Sequence, residues 1–204
     1  MKITTTLIII GLVVCYFLTA IYLNLQTERN DVSIPINDTD GKSVSLTIAV
    51  LGDVHLSEDP VSLAKFRDLV LEVKTAKPDL IVFVGDYTDN PIAIDNMSIH
   101  RENIINAIKL VNPIPRAIVL GNYESWSDAD EWLDAFERLD VDVMENEIRI
   151  LETQKGPICI RGFGDDFTGR YRYVDYPQEC QGVPKLSITH DPSAAFYKDV
   201  KGLV

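Results

Sequence analysis

The chain has few cysteines and no clustered positive charge. Its 204 residues include three cysteines, and 19 Lys and Arg stand against 31 Asp and Glu, giving a formal net charge of −12. Because no basic run of the kind that binds phosphate backbones is present, a broad nucleic-acid surface is not expected. The sequence also shows no internal repeat and no low-complexity segment, which excludes repeat architectures.

The three cysteines do not form a recognisable metal motif. Cys15 lies in an N-terminal apolar run, and Cys159 and Cys180 are not spaced as in a zinc site. We expect buried or free thiols, with a disulfide between Cys159 and Cys180 as the alternative.

An apolar run from Leu7 to Leu23 dominates the N-terminus. Its length is close to the roughly 20 residues that span a bilayer, and it lacks a good signal-peptide cleavage site. We interpret residues 1–26 as a single-pass membrane anchor with a short flank; a cleaved signal peptide is the alternative. Lys2 weakly favours a cytoplasmic N-terminus, which would place the rest of the chain on the extracytoplasmic (periplasmic or extracellular) side.

The remaining chain is predicted to form a short connection and one domain. Residues 27–43 are predicted to form a linker and an edge hairpin, because Asp40-Gly41 separates two alternating apolar runs and Pro35 suits an edge strand. Residues 44–204 are then predicted to form the domain itself.

Four predicted strands in this domain are each followed by a side chain that commonly binds metals. Leu80 to Val84 are five consecutive apolar residues, typical of a strand buried on both faces, and Gly85 and Asp86 follow them. The other strands and the residues after them are Val44–Leu51 with Asp53 and His55, Ala117–Leu120 with Asn122, and Leu186–Thr189 with His190. Open α/β sheets bind ligands at the carboxyl ends of their strands, so this pattern predicts a site there.

The side chains at these positions favour a first-row divalent metal. Asp53 and His55 are two residues apart, so in extended backbone they would point the same way. Oxygen and imidazole ligands together suit Mn, Fe or Zn better than Ca.

The segments between and after these strands show helical or strand periodicity. Pro60–Thr75 is predicted to be a helix, a second helix should end before Pro113, and a third should begin with Ser127 as its N-cap. We expect His100 to lie on the surface. From residue 141 onwards, short apolar runs such as Val143-Met144 predict an antiparallel second sheet.

Four motifs, taken in order along the chain, resemble those of the calcineurin-like metallophosphoesterases. They are Asp-x-His, Gly-Asp-x-x-Asp, Gly-Asn-x-Glu and a later His. The resemblance covers roughly Ser43 to the C-terminus. It implies a layered α/β sandwich of two mixed β-sheets flanked by helices, here preceded by a transmembrane helix.

The resemblance also implies a site with two divalent metal ions. Asp86 would bridge them, Asp53 and His55 would bind one, and Asn122 and His190 would bind the other. A hydroxide bridging the two ions would attack phosphorus in line. Three further residues, Asp89, Tyr123 and Glu124, would assist catalysis or orient the ligands.

The sequence departs from the family pattern twice. Tyr123 replaces the usual histidine of the Gly-Asn-x-Glu motif, and a phenol is a weaker acid near neutrality. A Gly-His-x-His motif is not found before Val204, although Lys201–Val204 resembles the strand that would lead into it. We therefore expect weak metal binding unless a further segment or a second polypeptide supplies these histidines.

The sequence thus predicts a membrane-anchored, metal-dependent phosphoester hydrolase. Its substrate would be a phosphodiester or pyrophosphate, with lipid-linked or nucleotide-linked compounds as candidates. The alternatives are a catalytically degenerate, membrane-anchored binding module and a structural domain that binds no metal.

Overall fold

The computed structural model of the chain describes residues 12–17, 19, 30, 32 and 45–196. The chain divides into two compact units, Met1–Ile34 and Pro35–Val204. In the first unit residues 12–17 and 19 are helical. A search of the described residues finds no helix that is long and apolar enough to cross a membrane. Apart from the few N-terminal positions named above, the predicted anchor, the predicted hairpin and Lys201–Val204 lie outside the described residues.

Three parallel strands form the first sheet of the second unit. They are β1 (Ile48–Leu51), β2 (Leu80–Phe83) and β3 (Arg116–Ile118), in the order β1-β2-β3. All four residues of β2 are fully buried, as expected for a central parallel strand with both faces covered. Because the strands are parallel, their carboxyl ends lie along one edge of the sheet.

In the part of the chain that the structure describes, four α-helices accompany this sheet. They are α1 (Pro60–Thr75), α2 (Met97–Ile108), α3 (Asn122–Trp126) and α4 (Ala129–Arg138). The predicted range of α1 is confirmed: Asp59 caps its first turn by accepting from the amides of Val61 and Ser62, and Pro60 occupies the first helical position.

The predicted start of the third helix is wrong by one residue and misses α3. Asp128, not Ser127, is the N-cap of α4 and accepts from the amide of Glu131. Ser127 is instead the C-cap of α3. Its hydroxyl donates to the carbonyl of Tyr123 and accepts from Trp132 Nε1, so it joins the two helices.

The second sheet consists of β4 (Glu147–Thr153), β5 (Gly156–Gly162) and β6 (Lys185–Ile188). β4 and β5 are antiparallel, whereas β5 and β6 are parallel, so the sheet is mixed. The segment Val143-Met144, predicted as a strand of this sheet, is not one. Its Met144 amide donates to the carbonyl of Ile118, which links it to the end of the first sheet.

The two sheets pack face to face. Alternate residues of the first sheet, such as Val82 and Ala117, pack against Ile160 and Leu186 of the second. Intervening residues of the first sheet, including Phe83, pack against the helices. The layered α/β fold predicted from the sequence is therefore confirmed.

The expectation of unpaired thiols at Cys159 and Cys180 is wrong. The two residues form a disulfide, with Cα atoms 5.8 Å apart. Cys159 lies in β5, and Cys180 ends a short 3₁₀ turn, Gln178–Cys180, that folds back over this strand. Such pairing depends on a chain reversal 21 residues long, which the sequence spacing does not encode.

His100 is buried, contrary to the prediction that it lies on the surface. It occupies the face of α2 that includes Ile104 and Ile108, at four-residue spacing, and is 6% exposed. Its Nε2 donates to the carbonyl of Leu56 at 3.0 Å, since a carbonyl oxygen only accepts. Burial lowers the pKa of His100 below its usual value.

Candidate metal centre

The loops after β1, β2 and β3 lie side by side at the carboxyl edge of the first sheet. The amides of Asp53, His55 and Leu56 donate to the carbonyls of the neighbouring loop, residues 85–87, over 2.8 to 3.1 Å. This pairing continues the contact between β1 and β2 beyond the strands. The first two candidate motifs are consequently fixed to each other by their backbones.

Asp53 and His55 converge for a reason other than the one expected. An extended backbone was predicted, but both residues have left-handed φ angles, 52° for Asp53 and 42° for His55. Asp86 has the same unusual conformation, with φ of 52°. The loop after β1 is therefore curled rather than extended, yet His55 Nε2 still lies 3.9 Å from Asp53 Oδ1.

Two glycines allow the loops to approach closely. Gly85 has φ of 89°, and a Cβ atom there would lie 2.4 Å from the amide nitrogen of Gly121. A Cβ atom at Gly121 would lie 2.2 Å from Asp86 Oδ1. Any larger residue at either position would have to displace the carboxylate of Asp86 or its loop.

Glu124 is the buried residue around which these loops are arranged. Its Oε2 accepts from the amides of Asp86 and Gly121, and its Oε1 accepts from those of Tyr87 and Thr88, over 2.8 to 3.2 Å. The side chain is fully buried. Burial raises the pKa of Glu124, and the amide donors oppose this rise because they stabilise the ionised form. Glu124 thus fixes the orientation of the loops after β2 and β3 through their backbone amides.

The carboxylate of Asp86 occupies the middle of the site. Its Oδ1 accepts from the amide of Tyr123 at 3.0 Å. Its Oδ2 lies 3.8 Å from His55 Nε2 on one side and 3.5 Å from His190 Nε2 on the other. One carboxylate oxygen is therefore shared between two imidazoles that come from different sheets.

His190 reaches this position from the end of β6. Its Nδ1 donates to the carbonyl of Val84 at 2.8 Å, which fixes the tautomer because that oxygen only accepts. In the neutral ring, Nε2 then carries a lone pair, and it faces Asn122 Oδ1 at 3.0 Å as well as Asp86. Lone pairs converging in this way suit a shared cation.

The donor set fits a divalent metal ion. Ligand atoms of Asp53, Asp86 and His190 all lie within 4.8 Å of one another. Within the described part of the chain, the ion-pair partners of the two carboxylates are histidines rather than Lys or Arg. Burial raises the pKa of Asp86, and the Tyr123 amide and the neighbouring His190 and His55 oppose this rise. A bound cation would supply the charge compensation that a buried carboxylate needs.

Two of the residues predicted to assist catalysis have different surroundings. The ring of Tyr123 lies edge-on against the imidazole of His55, with centroids 4.6 Å apart. The carboxylate of Asp89 accepts from the amide of Asn90, while its own amide donates to the carbonyl of Leu56. Tyr123 therefore adjoins the candidate ligands, and Asp89 stabilises the end of its own loop.

Three residues near the site were missed in the sequence analysis: Trp126, Asp165 and Phe167. They line a cavity together with Asn122 and His190. The four-residue spacing between Asn122 and Trp126 would have placed Trp126 beside the site if α3 had been predicted. The loop that carries Asp165 and Phe167 has no periodic pattern from which its position could be deduced.

The chain is similar to several known proteins. The model of the calcineurin-like phosphoesterase family matches residues 46–194. A transmembrane protein with a metallophosphoesterase domain from Bos taurus is 28% identical over 179 residues, which cover 80% of this chain and 39% of that protein. The uncharacterized metallophosphoesterase YkoQ of Bacillus subtilis (strain 168) is 27% identical over 91% of this chain and 69% of its own length. The chain thus spans less than half of the bovine protein.

A solved structure shows the same fold. The 5′-nucleotidase precursor from Thermus thermophilus matches with a TM-score of 0.51 at 14% identity, over 71% of this chain and 36% of that one. The matched segment of the family model begins just before β1 and ends after His190, so it includes every strand and every candidate ligand described above. The chain belongs to the calcineurin-like phosphoesterase family, whose members depend on divalent metals.

Proposed function

We propose that the chain hydrolyses phosphoesters with two divalent metal ions, for which Mn, Fe and Zn are the candidates. Asp53 and His55 would hold one ion, Asn122 and His190 would hold the other, and Asp86 would contribute to both. The observation that supports this most strongly is the position of Asp86 Oδ2 between the Nε2 atoms of His55 and His190. When bound, such ions lower the pKa of water and neutralise charge on phosphoryl oxygens.

The residues of the chain itself would hold and position the reacting groups. Glu124 holds amides of the loops after β2 and β3 in place, so that Asp86 is presented in one conformation. The hydrogen bond from His190 Nδ1 to Val84 directs Nε2 towards the site. Tyr123, next to His55, would donate a hydrogen bond from its phenol to the leaving oxygen.

We also propose that the domain is anchored in a membrane and lies on its extracytoplasmic side. The apolar N-terminal run motivates the anchor, and the bovine relative is named a transmembrane protein. The Cys159–Cys180 disulfide supports the location, because structural disulfides persist in oxidising compartments. An amphipathic phosphodiester or pyrophosphate, lipid-linked or nucleotide-linked, would suit an enzyme held at a membrane.

Hydrolysis of bis(p-nitrophenyl) phosphate by the purified full-length chain tests the activity. Release of nitrophenolate should stop after treatment with a chelator and return on addition of Mn²⁺, Fe²⁺ or Zn²⁺. Asp86→Ala should be inactive under every condition and controls for contaminating phosphoesterases. Equal turnover before and after complete removal of metal would contradict the proposal.

A non-catalytic binding module is the second candidate. Tyr123 favours it, because the family usually has histidine at this position and a phenol is the weaker acid. This alternative predicts that the chain binds metal and phosphate without turning over any ester. Tyr123→His would then confer activity, whereas a working enzyme should gain mainly on substrates with poor leaving groups.

A further inference from the structure

A cavity of about 310 Å³ adjoins the candidate metal centre. Asn122 and His190 line it on the side of the centre, and Trp126, Asp165, Phe167 and Asp191 line the rest. Its volume lies at the small end of the range for ligand pockets, about 300 to 1,000 Å³. A substituent of a phosphoester whose phosphorus lies at the centre would extend into it.

Two exposed aromatic rings form one wall of this cavity. Trp126 is 53% exposed and Phe167 is 72% exposed, and their ring centroids lie 6.1 Å apart. Tyr123 extends the row towards the centre, 4.9 Å from Trp126. Aromatic faces at a cavity wall attract apolar groups and, through their quadrupoles, cations.

Asp165, one of the residues that line the cavity, carries a buried acceptor. The residue is 2% exposed, and its Oδ2 accepts from both the amide and the hydroxyl of Thr168. Its Oδ1 is also buried but has no hydrogen-bond partner among the described residues. Because an unsatisfied buried acceptor is costly, this oxygen is suited to accept a hydrogen bond from a ligand.

The charges around the cavity favour a cationic hydrogen-bond donor on the ligand. Two carboxylates, Asp165 and Asp191, line it, and its described lining includes no Lys or Arg. Asp191 accepts from the amide of Ser193 and is partly exposed, so water can reach its carboxylate, whereas Asp165 Oδ1 is buried without a described partner. A cationic N–H donor satisfies both the charge and the hydrogen bond, whereas a neutral hydroxyl satisfies only the hydrogen bond.

We infer that this cavity binds a primary ammonium group carried by the phosphoester substrate. The ammonium would donate to Asp165 Oδ1 and lie near the faces of Trp126 and Phe167. This inference rests on the proposed function, because it assumes that the phosphoryl group of the substrate is held at the neighbouring centre. It narrows the substrate class to phosphoesters of amino alcohols.

Paired substrates with the same leaving group test the inference. p-Nitrophenyl 2-aminoethyl phosphate and p-nitrophenyl propyl phosphate differ by an ammonium in place of a methyl group. The wild-type chain should show a kcat/KM at least about tenfold higher for the aminoethyl ester. A ratio near one in the wild type would overturn the inference and leave the proposed hydrolysis standing.

Variants of the cavity should remove this preference. Asp165→Asn keeps an oxygen for Thr168 but removes the charge, so it should lower the ratio to near one, with most of the loss on the aminoethyl ester. Phe167→Leu, at an exposed position, should lower the ratio partially. Asp166→Asn is the matched control: it removes a negative charge one residue away, outside the cavity lining, and should leave the ratio unchanged. An equal loss on both esters in Asp165→Asn would assign Asp165 a purely structural role and overturn the inference.

Fluorescence gives a readout that does not depend on turnover. The chain has two tryptophans, and Trp132 is fully buried, so the exposed Trp126 should respond to a ligand in the cavity. O-Phosphoethanolamine should change the emission at concentrations about tenfold lower than propyl phosphate, and Asp165→Asn should abolish the difference. If no ester is hydrolysed but this difference is observed, the ammonium site stands and the proposed hydrolysis fails. Equal responses to the two phosphates would overturn the ammonium site.

Discussion

The three loops that follow the first-sheet strands differ from the single segment that follows β6, although both contribute to the candidate centre. The first-sheet loops are joined by backbone hydrogen bonds and by the four amides that donate to Glu124. His190, from the second sheet, is held through its ring by the Val84 carbonyl, and its Nε2 faces Asn122 Oδ1. One part of the centre is thus built into the backbone of a sheet, whereas the other depends on how two sheets are aligned.

This difference indicates where the site is preorganised. A side chain whose loop is fixed by several backbone hydrogen bonds loses little entropy when it binds a metal. A ligand tethered through its ring can be lost without unfolding its neighbours. The following predictions use this contrast.

Asp86→Ala should have the largest effect on activity, because Asp86 Oδ2 lies between His55 of the first-sheet loops and His190 of the segment after β6. We expect hydrolysis of bis(p-nitrophenyl) phosphate to fall by about 10³-fold or more, since both metal positions would lose a ligand. Thermal unfolding monitored by circular dichroism should show that the variant remains folded. Retention of more than about a tenth of the wild-type rate would show that Asp86 is not shared.

Cys159→Ser/Cys180→Ser should have the largest effect on stability. The bond closes a loop across 21 residues on the second-sheet side, for which about 3 kcal/mol of unfolding free energy is expected. Urea denaturation of oxidised wild type and the double variant measures the difference. Because Cys159 lies in β5 and Cys180 in the turn Gln178–Cys180, both outside the first sheet, the folded variant should keep its contacts at Asp53, His55 and Asp86. Loss of metal binding in the fully folded variant would contradict the separation of the two parts.

Glu124→Gln and His190→Gln should distinguish the first-sheet loops, which are joined by backbone hydrogen bonds, from His190, which is held through its ring. The amide of Gln would place an N–H donor against backbone amides that need acceptors, so we expect a loss of about 1 to 3 kcal/mol in unfolding free energy. His190→Gln should cost much less stability, because it disrupts one tether rather than several backbone bonds. Comparable unfolding free energies for the two variants would contradict the proposed difference between the first-sheet loops and His190.

His100→Gln should have the smallest effect, and it depends on pH. Burial depresses the pKa of His100 in the folded state. As the pH falls through about 6.5, the unfolded chain takes up a proton that the folded chain resists, so the unfolding free energy decreases. Gln can still donate to the carbonyl of Leu56 but does not titrate. The slope of stability against pH between about 7 and 5 should therefore be flatter in the variant, and equal slopes would contradict this assignment.

Much of the fold could be predicted because it depends on burial patterns. The apolar run at Leu80 predicted a central buried strand, and the stripe of α1 predicted its range. His100 was misplaced although it shares its helix face with Ile104 and Ile108, because a histidine was not counted as part of an apolar stripe. The disulfide could not be predicted without knowing how the segment after β5 folds back over this strand.

The site could be predicted in its composition but not in its local structure. Residues after the strand ends were identified because parallel strands bring their carboxyl ends to one edge. The left-handed backbone of Asp53, His55 and Asp86 follows from packing between loops, which no residue pattern encodes. The central position of Glu124 likewise arises from amides contributed by two separate loops.

The metal content of three purified proteins tests the central claim most directly. Because weak binding is expected, elemental analysis is made at equilibrium with an excess of Mn²⁺, Fe²⁺ or Zn²⁺, and it should give close to two ions per wild-type chain and about one per Asn122→Ala chain. Asp86→Ala should retain almost none, because it would remove a ligand from both positions. Equal metal content in wild type and Asp86→Ala would contradict the account of Asp86 as the residue shared by two metal ions.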